Sequence, residues 1–215
     1  MARGTMHASN SFMAIQSLLI AYATREGHTR HIAEHLGQHL SGRVSAFEVC
    51  DCARAEWLNP NAYDAVILAA SVHNRQHEPE AIRFARRVAL ANSRAHTAVV
   101  SVSSAQMIVE SAQAPARLRA LAQRGARELI DSFLRQTGLR PVSTLSASGA
   151  LMYTQYRLIH RIGFALFARI AGLSTDTSRD HVYTDWSALT RFADDFMAKI
   201  ESPESRSPTA SRVPL

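Results

Sequence analysis

The stretch Tyr22-Ala23-Thr24-Arg25-Glu26-Gly27-His28-Thr29 places two hydroxyls, a glycine and a run of backbone amides behind the apolar segment Leu18-Leu19-Ile20-Ala21. Those are the groups that hold an anion. An apolar strand ending in such a turn, with a helix start just behind it, aims several N–H groups at one point. Thr24 and Thr29 can add hydroxyl donors, Gly27 permits a positive φ, and Ile32, Leu36 and Leu40 recur at the four-residue spacing of a helix. The turn lacks the Gly-Lys-Ser/Thr ending of a P-loop, so a terminal monophosphate fits it better than a triphosphate with magnesium.

Other reactive side chains are less well placed for chemistry. Cys50 and Cys52 lie two residues apart in Val49-Cys50-Asp51-Cys52, unfavourable for a disulfide and without the second pair a zinc site needs, so they read as reduced thiols. His28, His31, His35 and His39 share the first helix, yet no cysteine or carboxylate cluster completes a metal site, and a solvated helix face is expected. Arg83, Arg86 and Arg87 read the same way.

The elements that must position the turn alternate. Strands are expected at Gln16–Tyr22, Val44–Val49, Ala65–Ala70, Thr97–Val102 and Val142–Ala147. Helices are expected at His28–Leu40, Pro79–Asn92, Pro115–Gln136 and Trp186–Ile200. Leu118, Leu121, Leu129 and Phe133 should form the apolar side of the third helix, with Gly138 ending it. Trp186, Leu189, Phe192 and Phe196 should face inward on the last, capped by Thr184 or Asp185. Alternation of this kind argues for a parallel sheet covered on both faces, because parallel neighbours need crossover connections of helix length. Five such strands suggest a flavodoxin-like three-layer α/β sandwich. Ligands of open α/β sheets sit at the carboxyl ends of the strands. Those ends carry Thr24–Thr29, then Ser71-Val72-His73-Asn74-Arg75, then Ser101-Val102-Ser103-Ser104.

Length and charge limit the alternatives. A chain of 215 residues, 47% hydrophobic, suits one well-buried domain. The expected organisation is a disordered extension over 1–15, the domain over 16–200 with an insert at about 150–181, and a disordered Ser-, Pro- and Arg-rich tail over 201–215. The formal charge is +6 with Lys199 the only lysine, which favours acidic partners. Nucleic acid is disfavoured, since no aromatic residues interleave the arginines. The amino-terminal residues are polar and do not read as a signal peptide.

The form Thr-Arg-acid-Gly-x-Thr of the first turn, in place of Thr-x-Thr-Gly-x-Thr, resembles the quinone-dependent protoporphyrinogen dehydrogenases of the flavodoxin superfamily. So do Gly149-Ala150-Leu151, Tyr153, Tyr156, Thr175-Asp176-Thr177 and Val182-Tyr183-Thr184-Asp185-Trp186, in order and spacing. The resemblance runs from about Leu18 to Phe196. It implies FMN as cofactor, its phosphate held by Thr24, Arg25, Glu26, Gly27, His28 and Thr29, and its ring bordered by Ser71, Val72, His73, Asn74, Arg75, Ser101, Val102, Ser103 and Ser104. Asn74 and Arg75 depart from the family, whose members often carry an aromatic and a glycine there. The resemblance further implies oxidation of protoporphyrinogen IX, with menaquinone or ubiquinone as acceptor, in a cytoplasmic protein bound peripherally to the inner face of the cell membrane. A flavodoxin-type electron carrier and a nicotinamide-fed quinone reductase are the rival readings. No general base is assigned.

Between Gly149 and His181 the expected fifth strand is interrupted by an insert of the kind seen in long-chain flavodoxins. Its helix, Tyr156 to Leu173, would be about 27 Å long. Leu158, Ile159, Ile162, Leu166 and Ile170 line one side, and Arg157, His160, Arg161 and Arg169 supply charge. Periodicity alone favours packing on the sheet as extra core; the resemblance favours docking on a membrane or quinone. Tyr153, Tyr156, Arg157 and Arg161 are the candidate contacts to substrate or membrane.

Overall fold

The computed structural model describes residues 15–55, 57–91, 94–156 and 158–202, without the side chains of Leu158, Ile159 and His160. In chain order the elements are β1 (Ser17–Ala23), α1 (His28–Leu40), β2 (Ala46–Asp51), β3 (Ala65–His73), β4 (Gln76–His77), α2 (Pro79–Leu90), β5 (His96–Ser103), α3 (Ser104–Glu110), α4 (Ala116–Thr137), β6 (Ser143–Ser148), β7 (Ala150–Leu151), α5 (Leu158–Ala171), β8 (His181–Val182) and α6 (Trp186–Glu201). Apart from Ile15, Glu201 and Ser202, the expected terminal tails lie outside the described residues.

Five strands pair in parallel in the order β2-β1-β3-β5-β6. Alternate side chains of a strand leave opposite faces, and the core divides accordingly. Leu18, Ile20, Ile67, Ala98 and Val100 meet α1 and α6 through Ile32, Leu36, Phe192 and Phe196. Leu19, Val66, Leu68 and Val99 meet α2 and α4 through Phe84, Val88 and Phe133. The result is the expected flavodoxin-like three-layer sandwich. Continuous apolar runs in β1 and β3 are explained, since both faces are covered.

Several details differ from the sequence expectation. On α4 the inward stripe is Ala122, Ala126, Ile130 and Phe133, while Leu121 is 60% exposed and Leu118 and Leu129 are only half-buried. Small alanines let α4 approach the sheet closely, and the leucines turn outward. Of the four histidines of α1 only His31 is exposed as expected of a solvated face: His28, His35 and His39 bond to Thr184, Thr190 and Asp194, the last two on α6. Asp185, rather than Thr184, caps α6, accepting from Ala188 N at 2.9 Å. Both cysteines are free, and burial pushes their thiols up, which keeps them neutral.

The insert was expected to interrupt the last strand. Instead β6 runs unbroken from Ser143 to Ser148, and the insert begins behind it, its ends tied by the antiparallel pair β7–β8. Met107, Leu151, Tyr153 and Ala168 form its own small core, with Tyr156, Phe164, Leu173 and Tyr183 against it. Gly172 closes α5 with φ 65°, and a Cβ there would lie 2.7 Å from Gln113 Cβ and 2.8 Å from its carbonyl carbon. Gly172→Ala therefore meets both left-handed strain and a backbone clash, and is expected to destabilise the insert by about 2 kcal/mol. Faster proteolysis within 150–181, with the sheet still protected from amide exchange, would report it.

A two-residue turn at Asn74-Arg75 folds β4 back onto β3, with Val72 opposite His77. His77 is buried against Phe133 and bonds Ser101 Oγ at 2.8 Å, and burial pushes its pKa down to about 4. An unfolded histidine titrates near 6.5. The unfolded chain thus takes up the proton first, so stability is full above pH 6.5 and is lost between there and about pH 4. The loss at pH 5 is about 2 kcal/mol from this residue. Urea midpoints at pH 8 and pH 5 should differ more for the wild type than for His77→Gln.

Candidate functional site

The carboxyl ends of β1, β3 and β5 converge on one cavity of about 290 Å³, which residues of the insert also line. Thr24, Glu26, His28 and Thr29 line it from the first loop, Ser71, Val72, His73 and Asn74 from the second, and Val102, Ser103 and Ser104 from the third. Gly149 to Met152, Met107, Tyr156 and Phe164 complete the wall.

The first loop is built by β1 ending at Ala23 and α1 beginning at His28. Thr24 Oγ1 accepts from Gly27 N at 3.0 Å, which closes the turn and leaves the Thr24 O–H to donate elsewhere. Gly27 adopts φ 87°, a region glycine enters without strain. Neither a side-chain cap nor an acid occupies the first turn of α1, so the positive end of a 13-residue helix opens toward the cavity. Thr29 is fully buried there.

His28 is buried and bonds Thr184 Oγ1 at 2.6 Å, while Thr184 donates its own proton to Ser148 O at 2.7 Å. Thr184 can then only accept from the imidazole, so Nε2 carries the hydrogen and Nδ1 the lone pair. Burial, aided by His31, pushes the His28 pKa down to about 4, which keeps the ring neutral. The chain His28–Thr184–Ser148 fastens the first loop to the end of β6.

Glu26 lines the cavity, and its carboxylate is engaged there by the second loop. Its carboxylate lies 3.1 Å from His73 Nε2, and His73 lies 3.6 Å from Glu78, which pairs with Arg25 at 3.2 Å. The four groups thus clamp the first loop to the second. Ser71 Oγ is buried in the cavity wall with no hydrogen-bond partner among the described residues. Leaving such a group unpaired costs about 1–3 kcal/mol, a cost that a polar ligand atom would remove.

Not every expected residue reaches the cavity. Arg25 points to Glu78, Ser101 is committed to His77, and Arg75 lines a neighbouring groove on α4. Asn74 and Arg75 adopt φ 49° and 63°. A turn with two left-handed residues suits a hairpin, but arginine there costs roughly 1–2 kcal/mol. In the insert, Tyr156 lines the cavity and stacks on Phe164 at 4.7 Å. Burial raises its hydroxyl pKa, with Met152 N–H opposing. Tyr153 is instead wholly buried, its hydroxyl donating to Ser174 O at 3.3 Å, and serves the insert's core rather than a ligand or membrane. Arg161 is spent on Thr177 O, and Arg157 lies outside the described residues. Sequence reasoning missed Met107 and Phe164. Phe164 had only its place opposite the apolar stripe as a signal.

A doubly wound parallel sheet with three polar strand-end loops around one cavity and an open helix N-terminus defines a phosphate-bearing-ligand protein of the open α/β class. The chain belongs to the flavodoxin family: the flavodoxin domain matches residues 19–178. It is 28% identical over 185 residues to the protoporphyrinogen IX dehydrogenase (quinone) of Escherichia coli strain K12, covering 86% of this chain and 97% of that one. It is 26% identical over 189 residues to the protein of the same name from Leishmania major, covering 86% and 78%. A flavodoxin from the domain Archaea superposes with a TM-score of 0.50 at 14% identity, covering 87% of this chain and all of its own.

Proposed function

We propose that this protein is an FMN-dependent protoporphyrinogen IX dehydrogenase that passes electrons to a membrane quinone, menaquinone or ubiquinone, in heme biosynthesis. The observation that carries the reading is a cavity lined jointly by all three strand-end loops and the insert's Tyr156 and Phe164. Similarity over most of the chain to proteins of that name supports the choice of substrate.

The residues present fit the cofactor. The amides at the start of α1, with the hydroxyls of Thr24 and Thr29, would hold the phosphate, and Ser71 would gain the partner it lacks. Val72 to Asn74 and Val102 to Ser104 would border the ring, with Tyr156 and Phe164 excluding water. Bound FMN supplies two-electron exchange between substrate and quinone. Three rounds remove six electrons and six protons from protoporphyrinogen IX and convert three quinones to three quinols.

On α5 the stripe Ile162, Leu166 and Ile170 is exposed at 64%, 61% and 59%, so it is not extra core for the sheet. Among the described residues no helix is long and apolar enough to cross a membrane. Lying on the inner surface of the membrane, where its quinone is dissolved, is the role we assign to this helix.

An anaerobic assay tests the reading. Protoporphyrinogen IX should bleach the flavin of the purified protein, and a menaquinone or ubiquinone analogue should restore it. Bleaching by a nicotinamide and not by the porphyrinogen would overturn the reading in favour of a quinone reductase.

A further inference from the structure

Next to the cavity, α4 presents an outward face that the core does not use. Leu121 and Leu129 there, with Ala105 from α3, line a groove of about 700 Å³, within the usual size range of small-molecule sites. Arg75, Arg124 and Arg135 line it as well, against one carboxylate, Glu128. None of the three guanidiniums has a hydrogen-bond or ion-pair partner among the described residues, whereas Arg25, Arg161 and Arg179 are all engaged.

Groove and cavity are lined by consecutive residues of the same two loops. Asn74 and Ser104 line the cavity, and the next residue of each loop, Arg75 and Ala105, lines the groove. Arg75 is held in this position by the left-handed turn, a conformation that arginine does not favour. An apolar trough bearing three free guanidiniums, opening where the second and third loops end, suits a ligand that is apolar in body and carboxylated along one edge.

We infer that the α4 groove is the substrate's carboxylate subsite: Arg75, Arg124 and Arg135 hold the propionates of the porphyrinogen while its macrocycle reaches the cavity past Asn74 and Ser104. This rests on the function proposed above. It moves substrate recognition from the insert, where Arg161 is already spent, to α4, and leaves the insert's stripe free for the membrane. Glu128 opposes the carboxylates and limits the affinity.

The test uses the FMN-loaded full-length chain with protoporphyrinogen IX and its dimethyl ester, in one detergent and with one quinone analogue. For the free acid, Arg124→Gln and Arg135→Gln should each raise KM about tenfold, the scale of one lost charge-assisted hydrogen bond. Arg75→Gly, which relaxes the turn, should do the same, and Glu128→Gln should lower KM. Esterification should raise the wild-type KM and remove the difference between wild type and variants. Bound flavin and circular dichroism should be unchanged in the variants, since these side chains line neither the cavity nor the core. If the wild type oxidises the free acid but the variants share its KM, or if acid and ester are used equally well, the subsite is wrong and the function stands. If the wild type oxidises neither, function and subsite fall together.

Discussion

Thr29→Asp is expected to weaken FMN binding at least a hundredfold without unfolding the protein. Thr29 sits fully buried in the first turn of α1 and lines the cavity where the phosphate is proposed to lie. Aspartate is close to threonine in volume, and a carboxylate in the first turn of a helix interacts favourably with its dipole, by about 0.3–1 kcal/mol. The fold therefore tolerates the change. The phosphate does not, because two unit charges 4 Å apart repel by about 4 kcal/mol at the effective dielectric of a protein near its surface. Riboflavin separates this effect from a general collapse of the site: it carries the same ring and no phosphate, so its affinity should be nearly the same in variant and wild type. Flavin fluorescence titrations measure both. Equal FMN affinity in the two proteins would remove the phosphate from the first loop, and a parallel loss of riboflavin would mean that the cavity itself had been damaged.

Much of this site is legible in the sequence because it depends on backbone. The turn from Thr24 to Thr29 needs an apolar strand before it, a glycine within it and a helical period after it, and each of these leaves a local mark. The polar ends of β3 and β5 are equally local, following directly on continuous apolar runs. What the sequence leaves hidden depends on partners far along the chain. Glu26 is legible as a residue of the first loop, but its pairing with His73, 47 positions on, is not. His28, His35 and His39 look like a solvated face because Thr184, Thr190 and Asp194 lie more than 150 positions away. Leu121 looks like core because leucine usually is, yet alanines take the inward stripe of α4 and leave Leu121 beside Arg124 in the groove. Tyr153 and Tyr156 are three residues apart and similar in type, and only packing decides that the first is buried in the insert while the second meets the cavity.

Replacing Ile162, Leu166 and Ile170 together with glutamate is expected to release the protein from lipid vesicles by about a thousandfold in partition coefficient, with its flavin and its stability retained. The three side chains recur every four residues on α5, so they form one strip along the helix, and all three are more than half exposed. A soluble domain gains nothing from such a strip. Ala168 on another face of α5, with Phe164, holds the helix to Tyr153 and Met107. Exposed substitutions of this kind usually change stability by less than about 0.5 kcal/mol. Burying the still exposed part of each side chain in lipid would contribute roughly 1–1.5 kcal/mol, or about 4 kcal/mol for the three, which corresponds to the thousandfold change. At 14 residues α5 is about 21 Å long, short of the ~30 Å hydrocarbon core, so it can lie in the interface but not cross it. Co-sedimentation with phosphatidylglycerol-containing vesicles reads the effect directly. Equal sedimentation of variant and wild type would show that the strip does not dock on lipid. A wild type that stays in solution but dimerises, with the dimer lost in the variant, would assign the strip to a second copy of the chain instead. Turnover with a water-soluble quinone should be unaltered by the triple change, and turnover with a long-chain quinone embedded in the vesicle should fall with the bound fraction. That contrast follows from geometry: the cavity lies on the Phe164 side of α5 and the strip on another, so the helix can rest on the membrane while its inner face closes the site.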